Sequence, residues 1–323
     1  MSRCLVEPES ATTVNPSPNI LKRFLETYWL RPENALWMTL RSLALSRCRL
    51  DRPFIDLCCG DGLFSFLHLG GVLDPDFDVF LDVADIDPIA PARIDMFDQF
   101  TNSYRPQITG PPRDTIDVGT DLKPNLLAKA ARLSLYGRLI RHNGNDSLPL
   151  ADSTFKTLYC NAAYWVNDID RFLGELRRIL QPSGLAILQV KLDCIRRYNF
   201  DRHANLLGER FLKIIAGDRV TSWPTLASRT EWERRFQEAG LLIQNVTPVV
   251  TQTHAYLWDV GLRPIAPLLV RMANALSAET RSAIKRDWVA LLLELASPFC
   301  NPSLNLSSNP DDPPELQYVL SRS

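Results

Sequence analysis

No stretch of this 323-residue chain approaches the roughly 20 consecutive apolar residues of a membrane-spanning helix. The most apolar segment, WVALLLELASPFC, is interrupted by Glu294. Charge of one sign is not in excess: 36 Lys and Arg stand against 37 Asp and Glu, a formal net charge of −1. A nucleic-acid or anionic-membrane partner ordinarily leaves a basic excess, so neither is expected. The seven cysteines form no C-x-x-C pair and no disulfide-like spacing, and the opening MSRCLVEPESATTVNPSPN lacks the apolar core of a secretion signal. Both absences lead to the expectation of a reducing, cytoplasmic setting. What is present is ordinary: 46% hydrophobic and 23% charged residues, ample for a large core.

A further absence falls at the most informative place. PFIDLCCGDGLFSFL, residues 53–67, reads as strand, tight turn and helix. A short apolar run ends in Asp56, Gly60 and Gly62 follow, and then an amphipathic run. Such a turn aims backbone N–H groups and a helix start at a bound ligand. A dinucleotide-binding turn carries G-x-G-x-x-G, but Ser65 stands where the third glycine belongs. With the acid on the first strand, this argues against an NAD-dependent oxidoreductase.

Along the chain, residues 1–18 are polar and proline-bearing, read as a flexible tail, and 19–50 as two N-terminal helices broken near Arg31-Pro32. Residues 70–113 interrupt the rhythm with many Asp and Pro, and are expected to be an inserted, mostly packed segment. The pattern then resumes: strand 115–122, helix 123–136, strand 137–143, loop and strand 147–162, helix 170–180, turn and strand 182–193. A helix near 229–239, a strand near 241–250, two helical segments over 255–275 and 278–296, and a final strand ELQYVLSR complete it. Strands alternating with helices predict an α/β fold: a Rossmann-like, doubly wound sheet, mostly parallel with an antiparallel last strand, plus N- and C-terminal helical additions. The main domain is expected over 51–323, with insertions at 70–113 and about 251–312, the second a helical cap over the substrate side.

Four segments carry a resemblance in order: DLCCGDG; GTDLKPNLLAKA; LPLADSTFKTLYCNAAYWVND; and FLGELRRILQPSGLAILQV. They resemble the glycine loop, the second-strand acid with its helix, the L-P-F-x-D-x-S-F-D stretch with the fourth strand, and the E-x-x-R-V-L-K-P-G-G helix and turn of class I S-adenosylmethionine (SAM)-dependent methyltransferases. The resemblance covers about 53–70 and 115–192. It departs from the family at Cys58 (usually glycine), Lys156 (usually acidic) and Ser183 (usually glycine). These departures are the support for an alternative, a non-catalytic scaffold of the same fold.

The resemblance implies SAM as cofactor and roles for named residues. Asp56 would order the loop amides and accept from the ligand's ammonium. Cys58, Gly60 and Gly62 form the loop, the glycines allowing close backbone approach. Asp121 would take the ribose hydroxyls; Asp85, inside the insertion, is the competing acid. Leu122 would pack on the adenine, Asn145 or Asp146 would accept from its amino group, and Asn161 would border the methyl. Tyr164 and His254 are the candidates for a general base. A small-molecule acceptor is expected, with sugar, lipid and natural-product-like classes all open. Asp74, Asp76, Asp78, Asp82 and Asp85 are spaced somewhat like a calcium loop, but Val79 stands where glycine is needed, so no metal site is expected.

Overall fold

The computed structural model describes residues 17–81, 83, 96–216, 223–301, 304, 306 and 309–323. Asp82, Asp85 and residues 1–16 of the tail expected over 1–18 lie outside these, while Ser17 and Pro18 open the first helix. Two helices come first, α1 (Ser17–Thr27) and α2 (Pro32–Leu45), the second opened by Pro32 where proline's missing N–H is harmless. Then follow β1 (Phe54–Leu57), α3 (Leu63–His68), the short antiparallel pair β2 (Val72–Leu73) and β3 (Ile108–Gly110), β4 (Ile116–Asp121), α4 (Pro124–Ala130), β5 (Tyr136–Arg141) and β6 (Phe155–Cys160). The second half holds α5 (Ile169–Ile179), β7 (Leu180–Lys191), α6 (Ala204–Ala216), α7 (Arg229–Glu238), β8 (Leu241–Val250), α8 (Gln252–Val260), α9 (Ala266–Asn274), α10 (Ala278–Ala296) and β9 (Glu315–Arg322).

Seven strands form the main sheet in the order β5-β4-β1-β6-β7-β9-β8. β1 pairs in parallel with β4 on one side and β6 on the other, β7 follows in parallel, and β9 enters antiparallel between β7 and β8. This is the doubly wound, mostly parallel sheet expected. One local expectation is corrected. The Pro182–Gly184 segment is not a turn preceding a strand but lies within β7, where the register jumps from Phe155↔Leu180 to Thr157↔Leu185. Gly184 fits because an added Cβ would lie 2.7 Å from Leu180 and 2.9 Å from the Lys156 carbonyl.

Side chains alternate between two cores, as strand geometry requires. Ile55, Leu57, Val118, Leu158, Ala186, Leu188 and Val190 face α5 and α7 through Phe172, Leu176, Trp232 and Phe236. Phe54, Tyr159 and Ile187 face the other way, against α1, α3 and the C-terminal helices. α2 is tied to the sheet by polar contacts. Gln189 donates to the Arg41 carbonyl (2.9 Å) and to Gln317 Oε1 (2.8 Å), and Gln317 donates to the Ala44 carbonyl (2.9 Å). The N-terminal helices are thus part of the sheet's own packing.

The segment that follows α3, over 70–113, is anchored at its start. Val79 and Phe80 are buried, and Asp78 accepts from Trp29 Nε1 (2.8 Å) and Arg281 Nε (2.8 Å). α10 therefore packs on α1 and on this segment, and Trp288 donates to the Trp29 carbonyl (2.7 Å). α8 instead sends Trp258 to the sheet's C-terminal edge, against Trp37 and Trp223. Among the described residues no helix is long and apolar enough to cross a membrane.

Candidate functional site

Ligands of doubly wound sheets bind beyond the strand C-termini where the chain's winding reverses. Here that point is the end of β1, between β4 and β6. Three consecutive loop amides are fastened to β4: Cys58 N–H donates to Thr120 Oγ1 (3.4 Å), Cys59 N–H to the Thr120 carbonyl (2.8 Å) and Gly60 N–H to Asp121 Oδ2 (2.9 Å). Asp121 Oδ1 accepts from Lys123 N–H at 2.9 Å. The loop residues and Asp121, separate in sequence, therefore meet. Asp121 is 9% exposed and Leu122, beside it, 52%.

Cys58 has φ +55°, the left-handed conformation a glycine would adopt at no strain. For a residue with a Cβ this costs about 1–2 kcal/mol, so the loop keeps its glycine-like path without the glycine. The two true glycines differ. A Cβ on Gly60 would meet nothing within 4 Å, so that face is open to a ligand. A Cβ on Gly62 would lie 2.9 Å from the Tyr136 ring, so the missing side chain lets the loop pack closely against the protein itself.

Asp56 lies beneath the loop, 2% exposed. Its Oδ2 accepts from Ser65 Oγ (2.6 Å) and from the Tyr136 hydroxyl (2.7 Å). Burial pushes its carboxyl up to about 6, against the opposing pull of those two hydroxyls. Ser65, the residue in place of the third glycine, is thus a partner of the buried acid. Asp61 accepts from Leu63 N–H (3.1 Å) at the start of α3, with its carboxyl raised by burial.

The two adenine candidates separate. The Asn145 amide donates to Asn143 Oδ1 (2.8 Å), and its Oδ1 accepts from Asp168 N–H (2.8 Å), pinning this loop to the start of α5. Asp146 is exposed. Asn161 is half-buried, directly after β6.

His254 is corrected as a candidate base. Its Nδ1 accepts from Thr251 N–H (3.1 Å) in a helix-capping box, and its Nε2 lies 2.9 Å from the Phe299 carbonyl. Both nitrogens are committed to structure, and burial lowers its pKa.

Tyr164 belongs to a buried charged cluster at the C-terminal ends of β6 and β7. Glu315, paired across the sheet with Lys191, accepts from Arg41 Nε (2.6 Å) and Nη2 (2.9 Å), Trp37 Nε1 (3.0 Å) and Lys191 Nζ (3.1 Å). Arg41 Nη2 also donates to the Tyr164 hydroxyl at 3.1 Å. Lys191 Nζ lies 3.9 Å from the Trp37 ring centre, 5.1 Å from Tyr164, 5.6 Å from Trp223 and 5.8 Å from Trp258. Burial alone would raise Glu315, but Arg41 and Lys191 draw it down to about 2. Burial lowers Lys191, partly offset by Glu315. Burial would raise the Tyr164 phenol, but Lys191 and Arg41 outweigh it and hold it below the ordinary tyrosine range. Sequence reasoning missed Arg41, Lys191 and Glu315. One signal was available: Trp37, Arg41 and Leu45 recur at helical spacing on a buried face, where an arginine requires a partner.

Comparison with known proteins gives one sequence match: residues 115–188 match the methyltransferase domain family. No curated protein matches the chain. Among solved structures, it is similar to a chain of the Haloferax volcanii complex between the Trm112 methyltransferase activator and a methyltransferase, at 14% identity, covering 90% of this chain and 91% of that one, TM-score 0.46. It is similar to the [4+2]-cyclase SpnF, at 14% identity, covering 88% and 81%, TM-score 0.46. It is also similar to the geranyl diphosphate C-methyltransferase of Streptomyces coelicolor, at 12% identity, covering 88% and 77%, TM-score 0.40.

Proposed function

We propose that the protein is a SAM-dependent methyltransferase, a reading supported by the match over residues 115–188 and the strand order of the sheet, and that it moves the methyl group to a small or medium-sized acceptor by in-line displacement. The observation that supports this site is the 2.9 Å contact of Gly60 N–H with Asp121 at the switch point of the sheet.

In this reading Asp121 takes the ribose hydroxyls on the lone pairs left after its two amide bonds. Leu122, exposed beside it, packs on the adenine. Asp146 accepts from the adenine amino group, since Asn145 is already committed to Asn143 and Asp168. Cys58 and Gly60 shape the loop, Gly62 lets it close on Tyr136, Asp56 supplies negative charge beneath it, and Asn161 borders the methyl. The bound cofactor supplies a methyl on a sulfonium, already a good leaving group. The chain's work is alignment and exclusion of water. Sugar, lipid and natural-product-like acceptors are all compatible with a neutral chain that carries extra helices around the sheet.

Calorimetry with SAM and S-adenosylhomocysteine tests the reading. Wild type should bind both, and Asp121→Ala should weaken binding about tenfold or more, the loss of charged hydrogen bonds. Asp85→Ala should bind as wild type. Loss with Asp85→Ala instead would move the ribose acid into the insertion. No binding by folded wild type would refute the function, and retention of NAD would establish the dinucleotide alternative.

A further inference from the structure

We propose that Tyr164 is the base of the reaction and that the acceptor is a phenol-type hydroxyl on a planar ring, seated against Trp165. The inference rests on the methyl-transfer reading above and supplies its acceptor chemistry.

Two buried cations, Arg41 and Lys191, share one buried carboxylate, Glu315, whose oxygens already receive four donors. An excess positive charge is left in a box of aromatic rings, where water does not disperse it. The group placed to answer that charge is Tyr164. Its oxygen accepts from Arg41 Nη2 at 3.1 Å, its ring lies 5.1 Å from Lys191 Nζ, and among the described residues nothing accepts its proton. Arg41 from α2, Lys191 from β7, Glu315 from β9 and the Tyr159 phenol from β6 are the titratable groups packed around this cluster. The net field favours the phenolate, consistent with the lowered pKa of Tyr164.

Position agrees with the role. Tyr164 lies just past the end of β6, the strand beside β1 and its loop. Trp165, the next residue, is 50% exposed and stands against Tyr164 (6.0 Å between ring centres) and edge-on to Trp223 (6.5 Å). A flat apolar face next to a phenolate favours a flat acceptor whose hydroxyl has a matching acidity. In the step, the acceptor's O–H proton passes to the Tyr164 oxygen. The acceptor oxygen bonds to the methyl carbon, and the carbon–sulfur bond breaks with its electron pair going to sulfur. The proton then leaves Tyr164, which is 5% exposed, for water admitted when the product departs. Arg41 and Lys191 are positioning residues, acting through Tyr164.

Two measurements test this. Ultraviolet titration needs no acceptor: the difference between wild type and Tyr164→Phe should show tyrosinate forming below the ordinary pKa of about 10, and Lys191→Met should move that transition upward. Turnover is then followed with simple phenols against matching anilines and benzoates. Phenols should be methylated, and Tyr164→Phe should lose about 100-fold or more in kcat while SAM affinity stays within about twofold. Lys191→Met should shift the acidic, ascending limb of the kcat/KM pH profile upward. A Tyr164 transition at or above 10, preference for anilines or benzoates, or undiminished kcat in Tyr164→Phe would each overturn the proposal. SAM binding without phenol turnover overturns this proposal alone; no SAM binding overturns the methyl-transfer reading, and this proposal with it.

Discussion

Replacing Asp56 with Asn should stabilise the protein at neutral pH and leave its stability unchanged in acid. The carboxyl is 2% exposed, and burial raises it from 3.8 to about 6. A raised native pKa means that the unfolded state ionises first. Below about pH 4 the group is protonated in both states and contributes no pH dependence. Between about 4 and 6 only the unfolded state gains by ionising, so native stability falls; above about 6 the loss is complete. At roughly 1.4 kcal/mol per unit, about two units amount to about 3 kcal/mol. Asn keeps an oxygen for the Ser65 and Tyr136 hydroxyls, which donate at 2.6 and 2.7 Å, and removes the charge. Urea unfolding of both proteins from pH 4 to pH 7.5 gives the comparison: the advantage of Asn should grow across this range towards about 3 kcal/mol. Parallel stability curves would refute the argument, because they would mean that the carboxylate is not desolvated. The same variant should bind SAM less tightly if the buried charge serves the ligand's ammonium, a trade of stability for function.

Gly62→Ala combines a φ of +75° with a Cβ 2.9 Å from the Tyr136 ring, so it should lose about 1–3 kcal/mol in thermal unfolding; an unchanged Tm would show that Tyr136 yields freely. Arg281→Met should cost about 3 kcal/mol by leaving Asp78 buried without its ion pair. Adding Asp78→Asn should recover part of that loss in urea unfolding, and strict additivity of the two changes would refute the coupling.

Local chemistry was legible in the sequence. The glycine turn, the strand ending in Asp121, the helix opened by Pro124 and the strand over 315–322 all follow from periodicity and turn residues within about ten positions. What those signals cannot carry is distance along the chain. Arg41 meets Glu315 across 274 residues; the spacing of Trp37, Arg41 and Leu45 signals that Arg41 needs a partner, but nothing near it in sequence names Glu315. The purpose of Gly62 was hidden for the same reason, since Tyr136 approaches it from another strand. Ser183 read as part of a turn because Pro and Gly flank it, yet parallel pairing with β6 on both sides draws the segment into β7. His254 was open as a base from composition alone, and only its contacts with Thr251 and Phe299 commit it elsewhere.

The position of β9 bears on the order in which this molecule is made. It is synthesised after both β7 and β8, yet it lies between them. As the chain leaves the ribosome, β8 has no strand to pair with, and β7 keeps an unpaired edge, until residues 315–322 emerge. The cluster at Lys191 lacks its only described carboxylate, Glu315, for the same interval. Nascent chains stalled before residue 315 should therefore display an open sheet, recruit chaperones and resist assembly of the Lys191 cluster, while the loop after β1 and Asp121 are already in place.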